Sequence, residues 1–282
     1  MPAIPVTRNA VDVDGLPASF LTARSAPGAD GPLVLLLHGT YWSRVWLPVL
    51  ADLAAAGLRP VAVDLPGLGR SAGELDADSA TVPSLAAWTE RFAAALGAKE
   101  PLRIAGHDIG GAVAQHLAVG GNTEVARLAL VNSVTYDSWP VPGVARYRNP
   151  DVVAATTVEE LLGSRRTALT TALGRPASEE EIAEYLDPWH SPRVGRSWMA
   201  LAGAADSRYT LDLVPALRRS ELPKLLVWGE DDGFQDVAYA ERFAAEMPHT
   251  QLVRIPGAGH VPMENDAVAV ARALAGFFAP GA

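Results

Sequence analysis

An aspartate stands between glycines where a predicted strand meets a predicted helix. The strand-like segment 102–105 leads through Gly106 to Asp108, and Gly110-Gly111 follow within a helix expected over residues 109–119. The glycines permit a tight turn with a strained backbone at the central residue. The turn would expose the Asp108 carboxylate at a helix N-terminus, which favours negative charge. Such a carboxylate can act as a nucleophile, although taken alone it also fits a helix N-cap.

Strands and helices alternate along most of the chain and must position this aspartate. Short apolar runs predict strands at residues 33–37, 60–63, 102–105, 126–131, 224–228 and 251–255. Helical spacing of apolar residues predicts helices between them. This alternation is typical of βαβ units and a mostly parallel sheet. Two later strands lead into further polar candidates, the acidic run 230–232 and His260, the only histidine in a glycine-rich loop after the last strand.

The alternation stops between about Tyr136 and Leu213. This stretch is helical or irregular in pattern, contains three tryptophans and four tyrosines, and has no convincing buried strand. An insertion of this size between two strands indicates a helical cap over the carboxyl edge of the sheet. We therefore expect a core domain formed by residues 1–135 and 214–282, with a helical cap at 136–213.

Five segments in order resemble the α/β-hydrolase superfamily, in its branch with an aspartate nucleophile, over nearly the whole chain outside the cap. The segments are His38-Gly39, Asp64-Leu-Pro-Gly-Leu-Gly-Arg-Ser71, the turn at Asp108, Val227-Trp-Gly-Glu-Asp-Asp232 and Pro256-Gly-Ala-Gly-His260. The resemblance implies an α/β-hydrolase fold, with a mostly parallel eight-stranded sheet flanked by helices. It also implies a triad of Asp108, Asp232 and His260. The family spacing selects Asp232 as the acid over its neighbours Asp231 and Glu230.

An aspartate nucleophile implies a two-step hydrolysis. A carboxylate with an ordinary pKa near ~3.9 is ionised at neutral pH, so Asp108 can attack carbon directly and form an ester. His260 would then activate water to hydrolyse the ester, while Asp232 orients the imidazole. Backbone N–H groups of Thr40 and Ile109 would form the oxyanion hole. The expected partners are therefore a small-molecule substrate and water, with no metal or cofactor.

The resemblance leaves the leaving group open. The leading hypothesis is an epoxide hydrolase acting on a small hydrophobic electrophile, because Ile109 and Thr40 stand where related dehalogenases usually carry a halide or carboxylate ligand. Two cap tyrosines would protonate the epoxide oxygen, Tyr209 together with Tyr147 or Tyr136. However, the segment His38-Gly-Thr-Tyr41 departs from the His-Gly-x-Pro turn that is usual in epoxide hydrolases.

Other activities stay possible on the same residues. They are a haloalkane or haloacid dehalogenase, an ester or lactone hydrolase, a non-hydrolytic tailoring enzyme for a natural product, and a ligand receptor, against which the intact triad argues. In each case we expect the substrate pocket to be lined by His38, Tyr41, Trp42, His107, Tyr136, Tyr147, Trp189 and Tyr209. Trp139 and Trp198 are further candidates, either for this pocket or for the core.

Composition restricts the partners. The 282 residues are 49% hydrophobic and 20% charged, which is typical of a globular protein, and the net charge of −9 disfavours nucleic acid or an anionic membrane surface. The pairs Arg165-Arg166 and Arg218-Arg219 are interpreted as solvated helix faces. The chain has no cysteine, and no cluster has metal-ligand spacing. Residues 1–13 lack the apolar core of a signal peptide, and no apolar run reaches the ~18 residues of a transmembrane helix, so we expect a cytoplasmic protein. The sequence makes no prediction of oligomeric state.

Overall fold

The fold was examined in a computed structural model that describes residues 4–24, 31–99 and 101–279. All of the predicted site residues lie within these ranges. Residues 1–3, which belong to the segment predicted to lack a signal peptide, lie outside them. Within the described ranges, no helix combines the length and the apolar character needed to cross a membrane.

Eight strands form one sheet at the centre of the molecule. They are β1 (Val6–Val13), β2 (Leu16–Ala23), β3 (Leu33–Leu37), β4 (Arg59–Val63), β5 (Leu102–Asp108), β6 (Val125–Ser133), β7 (Lys224–Gly229) and β8 (Thr250–Ile255). Their order across the sheet is β1-β2-β4-β3-β5-β6-β7-β8. Pairing is antiparallel between β1 and β2 and between β2 and β4, and parallel from β4 to β8. The predicted mostly parallel eight-stranded sheet is confirmed.

Helices follow most of the strands and fill the long connection between β6 and β7. They are α1 (Leu47–Ala55), α2 (Val82–Ala95), α3 (Ile109–Gly120), α4 (Pro142–Ala145), α5 (Pro150–Ala155), α6 (Val158–Leu173), α7 (Glu179–Leu186), α8 (Pro192–Gly203), α9 (Arg208–Leu211), α10 (Val214–Leu217), α11 (Val237–Glu246) and α12 (Ala267–Phe278). Helices α4 to α10 lie between β6 and β7, and are called the inserted helices below. Because parallel crossovers are right-handed and the strand order reverses at β3, α1 and α12 pack on one face of the sheet and α2 and α3 on the other.

The two strands that the sequence pattern missed form an antiparallel hairpin at one edge of the sheet. Asp14 and Gly15 join them, and both have positive φ, 56° and 82°. An Asp-Gly pair with this geometry is typical of a two-residue hairpin turn. Most of β1 is exposed, so it lacks the continuous apolar run that marks the inner strands. The Asp-Gly dipeptide was the available signal for this hairpin.

The inner strands build the core and bring their carboxyl ends to one edge. Residues 34–37, 104–105 and 128–131 are almost fully buried. Neighbouring strands are in parallel register, with Leu37 opposite Gly106 and Gly106 opposite Leu130. Segments that leave β3, β5, β6 and β7 therefore start close together, and this edge holds the residues described next.

Candidate active site

The backbone at Asp108 has the strained conformation that the glycine spacing predicts. Its φ is 53° and its ψ is −123°, directly between β5 and α3. A Cβ at Gly106 would lie 2.3 Å from the carbonyl oxygen of Gly110, and one at Gly110 would lie 2.5 Å from that of Leu37. Strand and helix are thus too close at this turn for any side chain but hydrogen.

The two oxygens of the Asp108 carboxylate have different surroundings. Oδ2 accepts hydrogen bonds from the backbone N–H and the hydroxyl of Thr40, at 3.0 and 2.9 Å. No hydrogen bond from the described residues reaches Oδ1. Gly39 allows this approach, because a Cβ there would lie 2.3 Å from Oδ2. One oxygen is therefore held by donors, and the other is left for a ligand.

His260 stands beside Asp108 and is oriented by Asp232. Its Nδ1–H donates to Oδ2 of Asp232 over 2.9 Å, while its Nε2 lies 3.9 Å from Oδ2 of Asp108. The amide of Asn132, at the end of β6, donates to the same Asp232 oxygen over 2.7 Å. The backbone N–H of Phe234 donates to the other Asp232 oxygen over 2.7 Å. Asp232 is thus fixed on both oxygens, and Asn132 is a site residue that the motif search did not find.

At this site, charge pairing and hydrogen bonds shift the pKa values more than burial does. Burial alone would raise the pKa of Asp108, but interactions with His260, His107 and Thr40 lower it to about 2. Burial alone would lower the pKa of His260, but Asp232 and Asp108 raise it to about 10. Burial also raises the pKa of Asp232, and His260 and Asn132 lower it below its ordinary value. At neutral pH the site holds two carboxylates around one imidazolium.

A cavity of about 300 Å³ opens above Asp108, between the edge of the sheet and the inserted helices. This volume is at the lower end of the range for small-molecule sites. Thr40, Tyr41, Asp108 and His260 form its floor, and Tyr147 is one of the inserted residues that line it. The other lining residues are Trp139, Val141, Gly143, Val144, Arg146, Ser164, Arg165, Ala168, Ala172, Phe234 and Gln235.

Three of the predicted pocket residues near Asp108 do not line this cavity. The His38 ring is buried, bonding the carbonyl of Gly39 through Nδ1 and the N–H of Leu65 through Nε2. Trp42 faces away, and its indole N–H donates to the carbonyl of Tyr185. His107 lies behind His260 and bonds its carbonyl oxygen through Nε2 at 2.8 Å. Their placement in the pocket was wrong, because each of these side chains turns away from the cavity and bonds a backbone group.

Three aromatic residues of the insertion were also misplaced. The Tyr136 hydroxyl donates to Glu246 on α11, at 3.0 Å, and does not line the cavity. Tyr209 lies on α9, which contacts α3 rather than the cavity. Trp189 is buried against Trp198, with ring centroids 5.6 Å apart, behind the cavity wall. Aromatic type alone did not separate packing residues from lining ones.

Ile109 was predicted to complete the oxyanion hole. Its position directly after Asp108, at the start of α3, is as expected. Among the described residues no hydrogen bond joins its backbone N–H to the carboxylate, so Thr40 supplies both donors that reach Asp108 here. Its side chain is buried and does not line the cavity.

Arg165 lines the cavity, contrary to the expectation of a solvated helix face. Its guanidinium carbon lies 4.0 Å from the centroid of the Trp198 ring, while its neighbour Arg166 is exposed and paired with Glu179. A signal was present in the sequence. In α6 the buried residues Leu161 and Leu169 lie four positions before and four after Arg165, which therefore interrupts an apolar stripe.

The described residues contain no group of three or more His, Cys, Asp or Glu side chains arranged to hold a metal ion.

Comparison with known proteins shows the family. Residues 34–273 match the model of the alpha/beta hydrolase family, so the chain belongs to that family. It is 28% identical to a pimeloyl-[acyl-carrier protein] methyl ester esterase of Vibrio atlanticus, over 88% of this chain and 95% of the relative. It is also 28% identical to a haloalkane dehalogenase of Bradyrhizobium diazoefficiens, over 93% of this chain and 91% of the relative.

A solved structure agrees with this assignment. The haloalkane dehalogenase of Bradyrhizobium elkani USDA94 superposes with a TM-score of 0.80 at 24% identity, covering 97% of this chain and 98% of that one. The likeness confirms the α/β-hydrolase fold. The family match identifies the chain as an α/β-fold hydrolase, and its sequence relatives include both an esterase and a haloalkane dehalogenase.

Proposed function

We propose that this protein hydrolyses a small electrophile through a covalent ester on Asp108. The observation that carries the proposal is the asymmetry of the Asp108 carboxylate. Oδ2 is held by both donors of Thr40, while Oδ1 has no hydrogen bond from the described residues, and Asp108 itself lines the cavity. Water is the co-substrate, and the triad is Asp108, Asp232 and His260.

The first step is a displacement at an sp³ carbon. A lone pair of Oδ1 forms the new C–O bond, while the bond from carbon to the leaving group breaks and its electron pair goes to that group. The ionised state of Asp108 supports this step, because its pKa is lowered to about 2. With an epoxide, the leaving oxygen takes a proton from a phenol at the cavity, for which Tyr41 and Tyr147 are the available donors.

The second step is hydrolysis of the ester. His260 removes a proton from water, which attacks the carboxyl carbon of Asp108, and the resulting oxyanion is the former Oδ2. The Thr40 donors already contact that atom, so they act without rearrangement. Collapse of the intermediate breaks the bond between Oδ1 and Cγ, and the departing alkoxide takes the proton from His260 and leaves as the alcohol. Loss of the Asp108 charge on esterification removes one cause of the raised pKa of His260, so the imidazolium releases its proton to solvent more readily and a larger fraction of His260 is neutral and able to accept a proton from water.

Epoxide opening is our first choice of reaction. The phenols of Tyr41 and Tyr147 take the place of the pair predicted from sequence. Arg146 donates to the Tyr147 oxygen over 2.6 Å, which leaves the phenol proton available for a ligand. Dehalogenation is the second candidate, favoured by the relative named haloalkane dehalogenase and by Trp139 in the cavity wall. Ester hydrolysis is less favoured, because attack by Asp108 on an ester carbonyl gives a mixed anhydride.

Trapping of the ester tests the mechanism. His260→Gln should retain alkylation and lose hydrolysis, so a small epoxide or haloalkane should add its mass to the intact protein. Asp108→Asn should give no adduct with the same reagents. His249→Gln is the matched control, since His249 is exposed and paired with Glu221 outside the site. Absence of an adduct from His260→Gln with every epoxide and haloalkane tried would refute the covalent mechanism.

The product separates the two leaving groups. Epoxide turnover should yield a diol and should fall on Tyr41→Phe or Tyr147→Phe, by about 10²- to 10⁴-fold for the residue that supplies the proton. Release of halide from haloalkanes, unchanged by both tyrosine variants and faster than any epoxide turnover, would favour the dehalogenase.

A further inference from the structure

The guanidinium of Arg165 is a partly buried cation at the wall of the candidate pocket. Its Nε is inaccessible and makes no hydrogen bond, and no ion pair joins Arg165 to any acidic group in ranges 4–24, 31–99 and 101–279. Between β6 and β7, the arginines Arg166, Arg175 and Arg196 each pair with an acidic side chain. Arg165 differs from these three arginines in both position and pairing.

Two indole rings hold Arg165 in place without using its N–H donors. The guanidinium carbon lies 4.0 Å from the ring centroid of Trp198 and 5.9 Å from that of Trp189. Cation–π contact of this kind stabilises the positive charge through the flat face of the guanidinium and does not use its N–H groups. A guanidinium has five N–H groups in a planar fork that matches a carboxylate, and stacking leaves this fork unsatisfied.

The nearby charges also favour an anion at this position. Arg146, the next arginine along the cavity wall, makes no close ion pair among the described residues and interacts with Glu160 only at longer range, and its charge opposes that of Arg165. Burial lowers the pKa of Arg165, whereas the nearby phenols Tyr41 and Tyr147 act in the opposite direction. A bound carboxylate would meet two guanidinium groups and two hydroxyl groups within one small cavity.

We propose that the substrate carries a carboxylate, which the guanidinium of Arg165 binds while the electrophilic carbon faces Asp108. This inference rests on the proposed function in taking the cavity above Asp108 as the substrate site. The negative charge is acceptable beside Asp108 because Asp108 is paired with the His260 imidazolium. The substrate class is then a small epoxy acid or haloacid rather than a neutral hydrocarbon derivative.

Binding of unreactive ligands tests the proposal without turnover. Hexanoate and 3-phenylpropanoate are compared with their primary amides, which have the same shape and no charge, by isothermal titration calorimetry. We expect the wild type to bind each carboxylate about 10- to 100-fold more tightly than its amide. Arg165→Met should abolish that difference with amide binding retained, and Arg165→Lys should retain part of it. Arg166→Met is the matched control and should leave the preference unchanged.

Three results would overturn the proposal. The first is equal or weaker binding of the carboxylates relative to the amides by the wild type, a result that no folding defect of a variant can explain. The second is a carboxylate preference that survives Arg165→Met. The third is a site that prefers bromide to both carboxylates, which would make Arg165 a halide ligand. The covalent mechanism is tested separately by the His260→Gln adduct, so failure of one does not imply failure of the other.

Discussion

At the scale of single residues, the two oxygens of Asp108 separate the two steps of the proposed reaction. The Thr40 hydroxyl contacts Oδ2, which becomes the ester carbonyl oxygen. Thr40→Val should therefore slow ester hydrolysis by about a hundredfold, the effect of one lost oxyanion donor, and change alkylation little. Single-turnover mass spectrometry should then show the ester accumulating. Thr40→Ser keeps the hydroxyl and should behave like the wild type; slowing of alkylation alone by Thr40→Val would contradict this role.

The two steps should also differ in pH dependence, because alkylation depends on the charge of Asp108 and hydrolysis depends on that of His260. Asp108 stays ionised because its pKa is lowered to about 2, so alkylation should be constant from about pH 5 to 9. Hydrolysis needs neutral His260, whose pKa is raised by Asp232 and Asp108 to about 10 in the free protein. The ester has lost the Asp108 charge, so hydrolysis should rise with pH and level off below about 10. Rapid-quench measurement of both phases tests this, and one shared titration would contradict it.

At the scale of elements, close contact between β5, β6 and α3 forms the turn at Asp108. A Cβ at Gly111 would lie 1.7 Å from Oγ and 2.5 Å from Cβ of Ser133 on β6. Gly111→Ala should therefore lower the free energy of unfolding by about 1–3 kcal/mol. In a Ser133→Gly background, which removes both atoms, the same change should cost much less. Urea unfolding of the four proteins measures the coupling.

Gly163→Ala is the control for helix propensity. Gly163 lies inside α6 with no atom within 4 Å of an added Cβ. Alanine there should stabilise the protein by about 0.4–1 kcal/mol. If Gly111→Ala were equally harmless in the wild-type background, close packing would not explain the glycine at the turn.

The elements also show what the sequence can and cannot predict. Inner strands are buried on both faces and have continuous apolar runs, so their positions and the triad loops after them followed from pattern and motif. In the hairpin of β1 and β2, most residues of β1 are exposed, so β1 has no continuous apolar run that would have indicated a strand. The cavity wall depends on how short helices pack, and no spacing rule could place Tyr136 against α11 or turn Trp42 away from Asp108. Arg165 was the exception. It was interpreted as part of a solvated helix face, but its position in an apolar stripe could have indicated that it faces inward.

At the scale of the whole molecule, one carboxylate joins the inserted helices to the core. Glu264, in the short turn after His260, accepts hydrogen bonds from Arg44 of the core at 2.7 Å and from the Tyr185 hydroxyl of α7 at 2.7 Å. Arg175, which follows α6, donates to its other oxygen over 3.1 Å. The Glu264 side chain is 8% exposed, so these bonds are screened little by solvent. The loop that carries His260 is thus fixed by the same residue that holds the wall of the cavity.

Glu264→Gln should therefore affect stability and activity together. The amide keeps the shape but removes the charge that both arginines face, and a charged hydrogen bond lost in a buried setting costs about 1.5–3 kcal/mol. Glu74→Gln is the matched control, because Glu74 also pairs with an inserted helix, through Arg196, but both side chains are exposed. That change should cost less than about 1 kcal/mol. Chemical denaturation of both variants measures the difference, and equal effects would mean that the inserted helices are held by apolar packing instead.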